Sequence, residues 1–247
     1  MNKFENLTYE SFRAMAKDGR LSCYEKIGFP DSYRKGSEKN IFDDIVSKVH
    51  ALRGKGKVIA DIGPGCSELP HMLIDLCERN QSTLILCDSD EMLSHLPDRH
   101  FIEKHPGKFP DSIAAIDRHI GKVDAVIVYS VMQHVFLDMN PFIFTDSAVS
   151  LLRDGGGELF LGDIPNITKR KRFFSSKAGI EMHKQFTGRD ETPVVRFMEL
   201  DEGKIDDAIV LSILQRYRNA GCESYVMPQG RHLPLATRRE DILIVKH

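Results

Sequence analysis

A short glycine turn between an apolar run and a helical pattern constrains this chain more than any other feature. Residues 58–68 are Val-Ile-Ala-Asp-Ile-Gly-Pro-Gly-Cys-Ser-Glu, so a strand-like run leads through Gly63 and Gly65 into a helix. Such a strand, turn and helix are typical of nucleotide-type sites in parallel α/β sheets, where glycines let a ligand approach the backbone at the helix N-terminus. The sequence therefore predicts an α/β fold with a ligand bound at this turn.

The rest of the chain repeats this alternation. Segments with helical periodicity separate five β-rich runs, at residues 58–62, 83–88, 101–104, 123–130 and 158–163. A strand followed by a helix, repeated, predicts a parallel sheet with right-handed crossovers. A helical pattern over about 205–219 then precedes two strand-like runs, 223–227 and 241–247. Because the loop between these runs is too short for a helical crossover, we expect them to pair antiparallel.

Two regions fall outside the alternation. Residues 1–54 precede the first strand and are expected to form a helical N-terminal cap on a ligand-binding domain of residues 55–247. Residues 164–203, approximately, follow the fifth strand and are expected to be an insertion in that domain. Both regions are predicted to cover the substrate.

Composition and charge exclude several classes of protein. At 247 residues and 41% hydrophobic content, the chain can form a core without disulfides or a structural metal. Its 34 basic and 36 acidic residues create no cationic field for duplex nucleic acid. Five scattered cysteines without a CxxC pair indicate reduced thiols and no metal site, and no apolar stretch approaches the ~20 residues that span a bilayer. We expect a cytoplasmic monomer or homodimer that does not bind membranes.

The charges at the glycine turn favour a cationic ligand. Asp61 and Glu68 flank the turn and would repel a diphosphate at close range, which argues against a nicotinamide-dependent oxidoreductase. S-adenosylmethionine has an ammonium, a sulfonium and no phosphate. An acidic strand end therefore suits this molecule better than a dinucleotide.

Several motifs resemble those of the class I S-adenosylmethionine-dependent methyltransferases, particularly the members that act on small molecules. Asp61, Gly63, Gly65 and Ser67 match the first motif, acidic-x-Gly-x-Gly-x-small. Residues 86–93, Leu-Cys-Asp-Ser-Asp-Glu-Met-Leu, resemble the second motif, whose acidic side chain accepts the ribose hydroxyls. Further similar segments follow in the family's order: the adenine-flanking turn at 107–110, the end of the fourth strand at 129–135, the glycine-rich turn at 152–159 and the last strand at 238–245.

The resemblance implies a fold and a cofactor. The fold is a Rossmann-like, doubly wound sheet of seven strands in the order 3-2-1-4-5-7-6, with the last strand antiparallel. The cofactor is S-adenosylmethionine, the product is S-adenosylhomocysteine, and Asp88 is the expected ribose partner, with Asp90 as the alternative. Arg34 is the expected partner of the methionine carboxylate. The complete set of expected cofactor-binding residues is Asp61, Gly63, Pro64, Gly65, Ser67, Asp88, Ser89, Gly107, Lys108, Phe109, Ser130 and Arg34.

The acceptor is expected near the end of the fourth strand. His134 is the first choice for a catalytic base because an ordinary imidazole is close to half-ionised near neutral pH, and it would also contact the substrate. Asp163 is the alternative base, and Tyr129, at the end of the fourth strand, is the third catalytic candidate. Gln133 is a further substrate-binding candidate.

A basic run, residues 169–172, lies next to Phe173 and Phe174. Lys169, Arg172 and Phe173 are predicted to hold a phosphorylated or nucleotide-activated sugar, although most such runs are solvated surfaces. A secondary metabolite is another candidate acceptor. An RNA or protein methyltransferase that uses this run for docking, and a non-catalytic S-adenosylmethionine-binding partner protein, are the alternative functions.

Overall fold

The computed structural model describes Phe4 and residues 7–247. Residues 1–3, 5 and 6 of the predicted cap lie outside this part of the chain. The described part of the cap has four helices, α1 (Tyr9–Lys17), α2 (Cys23–Lys26), α3 (Asp31–Arg34) and α4 (Glu38–Lys48). Apolar residues of α4 pack on one face of the sheet beside the next helix, so the cover over the sheet edge consists of α1 to α3.

In the described part of the chain, seven strands form one sheet in the order β3-β2-β1-β4-β5-β7-β6. They are β1 (Val58–Ile62), β2 (Thr83–Asp88), β3 (Ile102–Pro106), β4 (Ala125–Tyr129), β5 (Gly157–Pro165), β6 (Glu223–Met227) and β7 (Arg239–Lys246). The pairs among β1 to β5 are parallel, and β7 is antiparallel to both β5 and β6. The predicted order and the antiparallel last strand are confirmed.

Helices cover both faces of the sheet. The helices after β1 are α5 (Glu68–Arg79), α6 (Asp90–Leu93), α7 (Met132–Asp138), α8 (Pro141–Leu151), α9 (Ile167–Phe174), α10 (Lys177–Thr187) and α11 (Asp207–Asn219). One apolar cluster lies between the sheet and α4 and α5, and another lies between the sheet and α7, α8 and α11. All five residues of β4 are buried because helices cover both of its sides, which explains its continuous apolar sequence.

The region after β5 differs from the rest of the domain. It contains α9 and α10, and residues 188–206 contain neither helix nor strand. Several of its large apolar side chains are exposed, including Val194, Met198 and Leu200. Within the described part of the chain, no helix is long and apolar enough to cross a membrane.

Candidate functional site

The glycine turn lies at the carboxyl end of β1, where two other segments approach it closely. Gly63 and Gly65 have φ angles of 75° and 66°, which side chains rarely adopt. A Cβ atom on Gly63 would lie 2.7 Å from Val131 Cγ2, and one on Gly65 would lie 2.5 Å from Ile27 Cγ2. The turn therefore requires glycine for its backbone conformation and for the close approach of Val131, after β4, and of Ile27 in the cap.

Asp88, the last residue of β2, connects this turn to the neighbouring strand. Its Oδ2 atom accepts a hydrogen bond from the Gly65 N–H at 3.0 Å, and its Oδ1 atom accepts one from the Ser89 N–H at 2.7 Å. The Ser89 hydroxyl caps α6 instead, because it accepts from the Met92 N–H at 3.2 Å. Asp88 is thus held at the edge of the cavity, whereas Asp90 is an exposed residue of α6.

Asp61 and Asp88 form an acidic pair below the cap. Burial, with a contribution from Asp88, raises the pKa of Asp61 to about 8. Burial also raises the pKa of Asp88 to about 6, although its two backbone hydrogen bonds act in the opposite direction. Both shifts mean that the free protein disfavours negative charge here, and a cationic ligand would relieve that cost.

A cavity that is partly open to solvent lies between the sheet edge and the cap. Sequence-predicted residues on its wall are Arg34, Asp61, Gly63, Pro64, Gly65, Ser67, Asp88, Lys108, Phe109, Tyr129, Ser130 and His134. The cap contributes Leu7, Thr8, Tyr9, Phe12, Ile27 and Phe29. Tyr9 and Phe12 were not among the residues expected at the site, although their spacing of three along a helix is the signal of a shared face.

A salt bridge fastens α1 to the sheet domain. Arg13 donates to both carboxylate oxygens of Glu91 on α6 at 2.9 Å, and Lys17 Nζ lies 2.8 Å from Glu91 Oε1. These contacts lower the pKa of Glu91 far below its usual range. They position Tyr9 and Phe12 over the cavity.

Arg34 is buried between the cap and the sheet. Its guanidinium lies 4.4 Å from the ring centre of Phe29 and 5.3 Å from that of Tyr129. Nη2 donates to the Ser130 hydroxyl and, at 3.3 Å, to Asp163 Oδ2. The side chain thus lines the cavity while one of its nitrogens is paired with the sheet.

Asp163 reaches Arg34 through an irregularity in β5. The pairing with β7 shifts between Leu161 and Ile164, and Asp163 has a φ angle of 57°. Arg239 Nη1 donates to the Asp163 carbonyl at 2.9 Å, and the Ser130 hydroxyl donates to its carboxylate. Asp163 is not on the cavity wall, so it supports Arg34 and Ser130 from behind.

His134 lines the cavity on α7, and its ring makes an edge contact with Phe12 at 4.8 Å between centroids. Burial lowers its pKa to about 4. The expectation of a half-ionised imidazole is therefore wrong, since removal from water disfavours the charged ring. Burial raises the pKa of Tyr129 well above 10, so its hydroxyl stays protonated.

Other predicted residues lie away from the cavity wall. They are Ser89, Gly107, Gln133, Lys169, Arg172 and Phe173. Lys169 donates to the Arg239 carbonyl at 2.6 Å, and Arg172 pairs with Asp207 on α11. Lys169 and Arg172 are thus turned toward β7 and α11, and their contact with a phosphorylated acceptor stays a prediction. Among the described residues, none from 164–203 lines the cavity.

Comparisons with known proteins identify the fold. No protein-family model matches the sequence, and no curated protein sequence matches it. The plantazolicin methyltransferase BamL, solved with a triazolic desmethylPZN analog and S-adenosylhomocysteine, is 13% identical over 96% of both chains, with a TM-score of 0.55. A SAM-dependent methyltransferase from Aquifex aeolicus is 14% identical over 92% of this chain and 100% of its own, with a TM-score of 0.54.

A third similar structure is the CurJ carbon methyltransferase, which is 14% identical over 95% of this chain and 63% of its own, with a TM-score of 0.57. The chain therefore has the fold of the class I S-adenosylmethionine-dependent methyltransferases, as the sequence motifs predicted.

Proposed function

We propose that this protein is an S-adenosylmethionine-dependent methyltransferase that acts on a small, largely apolar acceptor. The observation that carries the proposal is the acidic pair Asp61 and Asp88 at the carboxyl ends of β1 and β2. The pair lies beside the glycine turn and lines the cavity that the cap covers. Open α/β sheets bind ligands in this position. Bound S-adenosylmethionine supplies a methyl group on a sulfonium, which is already an activated leaving group.

The residues present fit this cofactor. The carboxylate of Asp88 can accept hydrogen bonds from ribose hydroxyls, and Asp61 provides negative charge for the ammonium. The guanidinium of Arg34 can donate to the methionine carboxylate from the cavity wall. Lys108 and Phe109 form the wall beyond β3, where the sequence motif predicts adenine.

The chemistry of the wall favours an apolar or aromatic acceptor over a phosphorylated one. Apolar side chains on the wall are Leu7, Phe12, Phe29, Val135, Met139 and Phe144. Of the two Lys and Arg side chains on this wall, Arg34 is assigned to the methionine carboxylate and Lys108 already contacts Asp138, so neither is left for a phosphate on the acceptor. The contribution of the protein is alignment of the acceptor and exclusion of water beneath α1.

Calorimetric titration with S-adenosylmethionine, S-adenosylhomocysteine and NAD tests the cofactor. We expect binding of the first two in about the micromolar range, near −8 kcal/mol, and no binding of NAD. Binding of NAD alone, or of none of the three, would contradict the proposal. Mass spectrometry of S-adenosylhomocysteine formation with phenols, amines, azoles and sugar nucleotides then tests the preference for an apolar acceptor.

His134 is expected to position the acceptor as a neutral imidazole. A base works best when its pKa is close to the working pH, and a pKa of about 4 is far below neutrality. In an NMR titration we expect no shift of the His134 ring resonances between about pH 5.5 and 8, whereas free histidine titrates near 6.5. Assignment comes from the His134→Gln variant. A midpoint near neutral pH would instead restore His134 as a candidate base.

A further inference from the structure

A second cluster of polar side chains lies outside the cavity, on the edge strand β3. Glu103 and His105 are two residues apart on this strand and therefore share one of its faces. His119 ends a 3-10 helix, Ile113–His119, that folds back toward them. One ligand atom from each of these three residues lies within 4.8 Å of the other two.

The cluster contains a buried nitrogen without a hydrogen bond. Among the described residues, His105 Nε2 is one of few buried side-chain atoms that lack such a partner. It lies 3.5 Å from Glu103 Oε2, while His119 Nε2 lies 2.7 Å from the same oxygen. In a tetrahedral zinc site with bonds of about 2.0–2.1 Å, the ligand atoms are about 3.4 Å apart. The separation of His105 Nε2 and Glu103 Oε2 already matches this value, and His119 Nε2 would have to move away from Glu103 by about 0.7 Å.

We propose that Glu103, His105 and His119 bind one divalent transition-metal ion of the zinc type, with solvent in the fourth position. Two imidazoles and one carboxylate are a donor set that zinc prefers, and magnesium and calcium do not, since those ions take oxygen ligands. The chain segment between His105 and His119 includes the turn at Lys108 and Phe109 that lines the cavity. A bound ion would fasten this segment to β3.

Arg118 is the cation that now occupies the position next to Glu103. Its Nη2 atom donates to Glu103 Oε2, and its Nε atom lies 3.2 Å from His119 Nε2. The side chain is 65% exposed, so it can move away into solvent when a metal ion binds. Arg118 and the metal ion therefore compete for the same two ligands.

Zinc sulfate titrated into chelator-treated full-length protein tests the site by calorimetry. We expect one ion per chain, a rise in Tm on binding, and at least about a 100-fold loss of affinity in His105→Ala and in His119→Ala. The exposed His71→Ala variant is the control and should bind like the wild type. Arg118→Gln should bind zinc more tightly, because it removes the competing cation.

Cobalt distinguishes this site from the five cysteines. Cobalt bound by Glu103, His105 and His119 should give an absorption spectrum without a thiolate-to-cobalt charge-transfer band. Circular dichroism of the metal-free variants, including Glu103→Gln, verifies that they are folded.

The proposal is overturned if the wild type binds no zinc, if folded His105→Ala and His119→Ala variants retain its affinity, or if the cobalt spectrum shows thiolate ligation. If Arg118→Gln binds zinc no more tightly than the wild type, this result would contradict the assignment of Glu103 as a ligand. None of these results depends on the methyltransferase proposal.

Discussion

Replacement of Asp88 with alanine is expected to weaken S-adenosylhomocysteine binding by about 5- to 150-fold, or 1–3 kcal/mol. Two losses contribute to this effect. The variant removes the acceptor for the ribose hydroxyls, and it leaves the Gly65 N–H without its 3.0 Å hydrogen bond to Oδ2. Isothermal titration at one fixed pH measures the change.

Asp90→Ala is the matched comparison, because Asp90 lies two residues further along the chain and is exposed at the start of α6. We expect its affinity to equal that of the wild type. Loss of binding in Asp90→Ala with normal binding in Asp88→Ala would transfer the ribose contact to Asp90. Normal binding in both variants would show that neither carboxylate holds the ribose.

Arg34→Met is expected to destabilise the protein by about 3 kcal/mol, in the range measured when one member of a buried ion pair is removed. Both side chains of the Arg34–Asp163 pair are 5% exposed, so Asp163 would keep a buried charge with weaker compensation. The Ser130 hydroxyl, Gln229 Nε2 at 3.4 Å and Arg239 Nε at 3.8 Å are its other nearby donors. Chemical denaturation measures the free energy of unfolding.

The double variant Arg34→Met, Asp163→Asn separates stability from ligand binding. It should recover much of the lost stability, since the unpaired charge is gone, yet it should still lack the donor for the methionine carboxylate. Comparison of S-adenosylhomocysteine with 5′-methylthioadenosine, which lacks the amino-acid portion, tests this point. The wild type should prefer the former, and the double variant should bind the two more equally. An unchanged preference would remove Arg34 from the cofactor site.

The surroundings of His134 and of the basic run depend on tertiary contacts that a local sequence pattern does not encode. A histidine just beyond β4 suggested a base of ordinary pKa, but Phe12 from the cap lies against its ring and burial lowers that pKa to about 4. The basic run after β5 suggested a phosphate site, but Asp207 and the carbonyl of Arg239 hold two of its cations. Both outcomes follow from segments that are distant in sequence.

The strand order 3-2-1-4-5-7-6 was implied by the resemblance of the motifs to a known family, whereas the alternating strands and helices, the reversed last strand and the glycine turn were predictable from the residues themselves. These features arise from contiguous segments, because buried parallel strands need unbroken apolar runs and a tight turn needs glycine. The tertiary structure alone decided that Arg34 pairs with Asp163 across 129 positions, and that His119 approaches Glu103 and His105. Such pairings depend on how helices fold back onto the sheet, and burial then sets the charge state of each side chain.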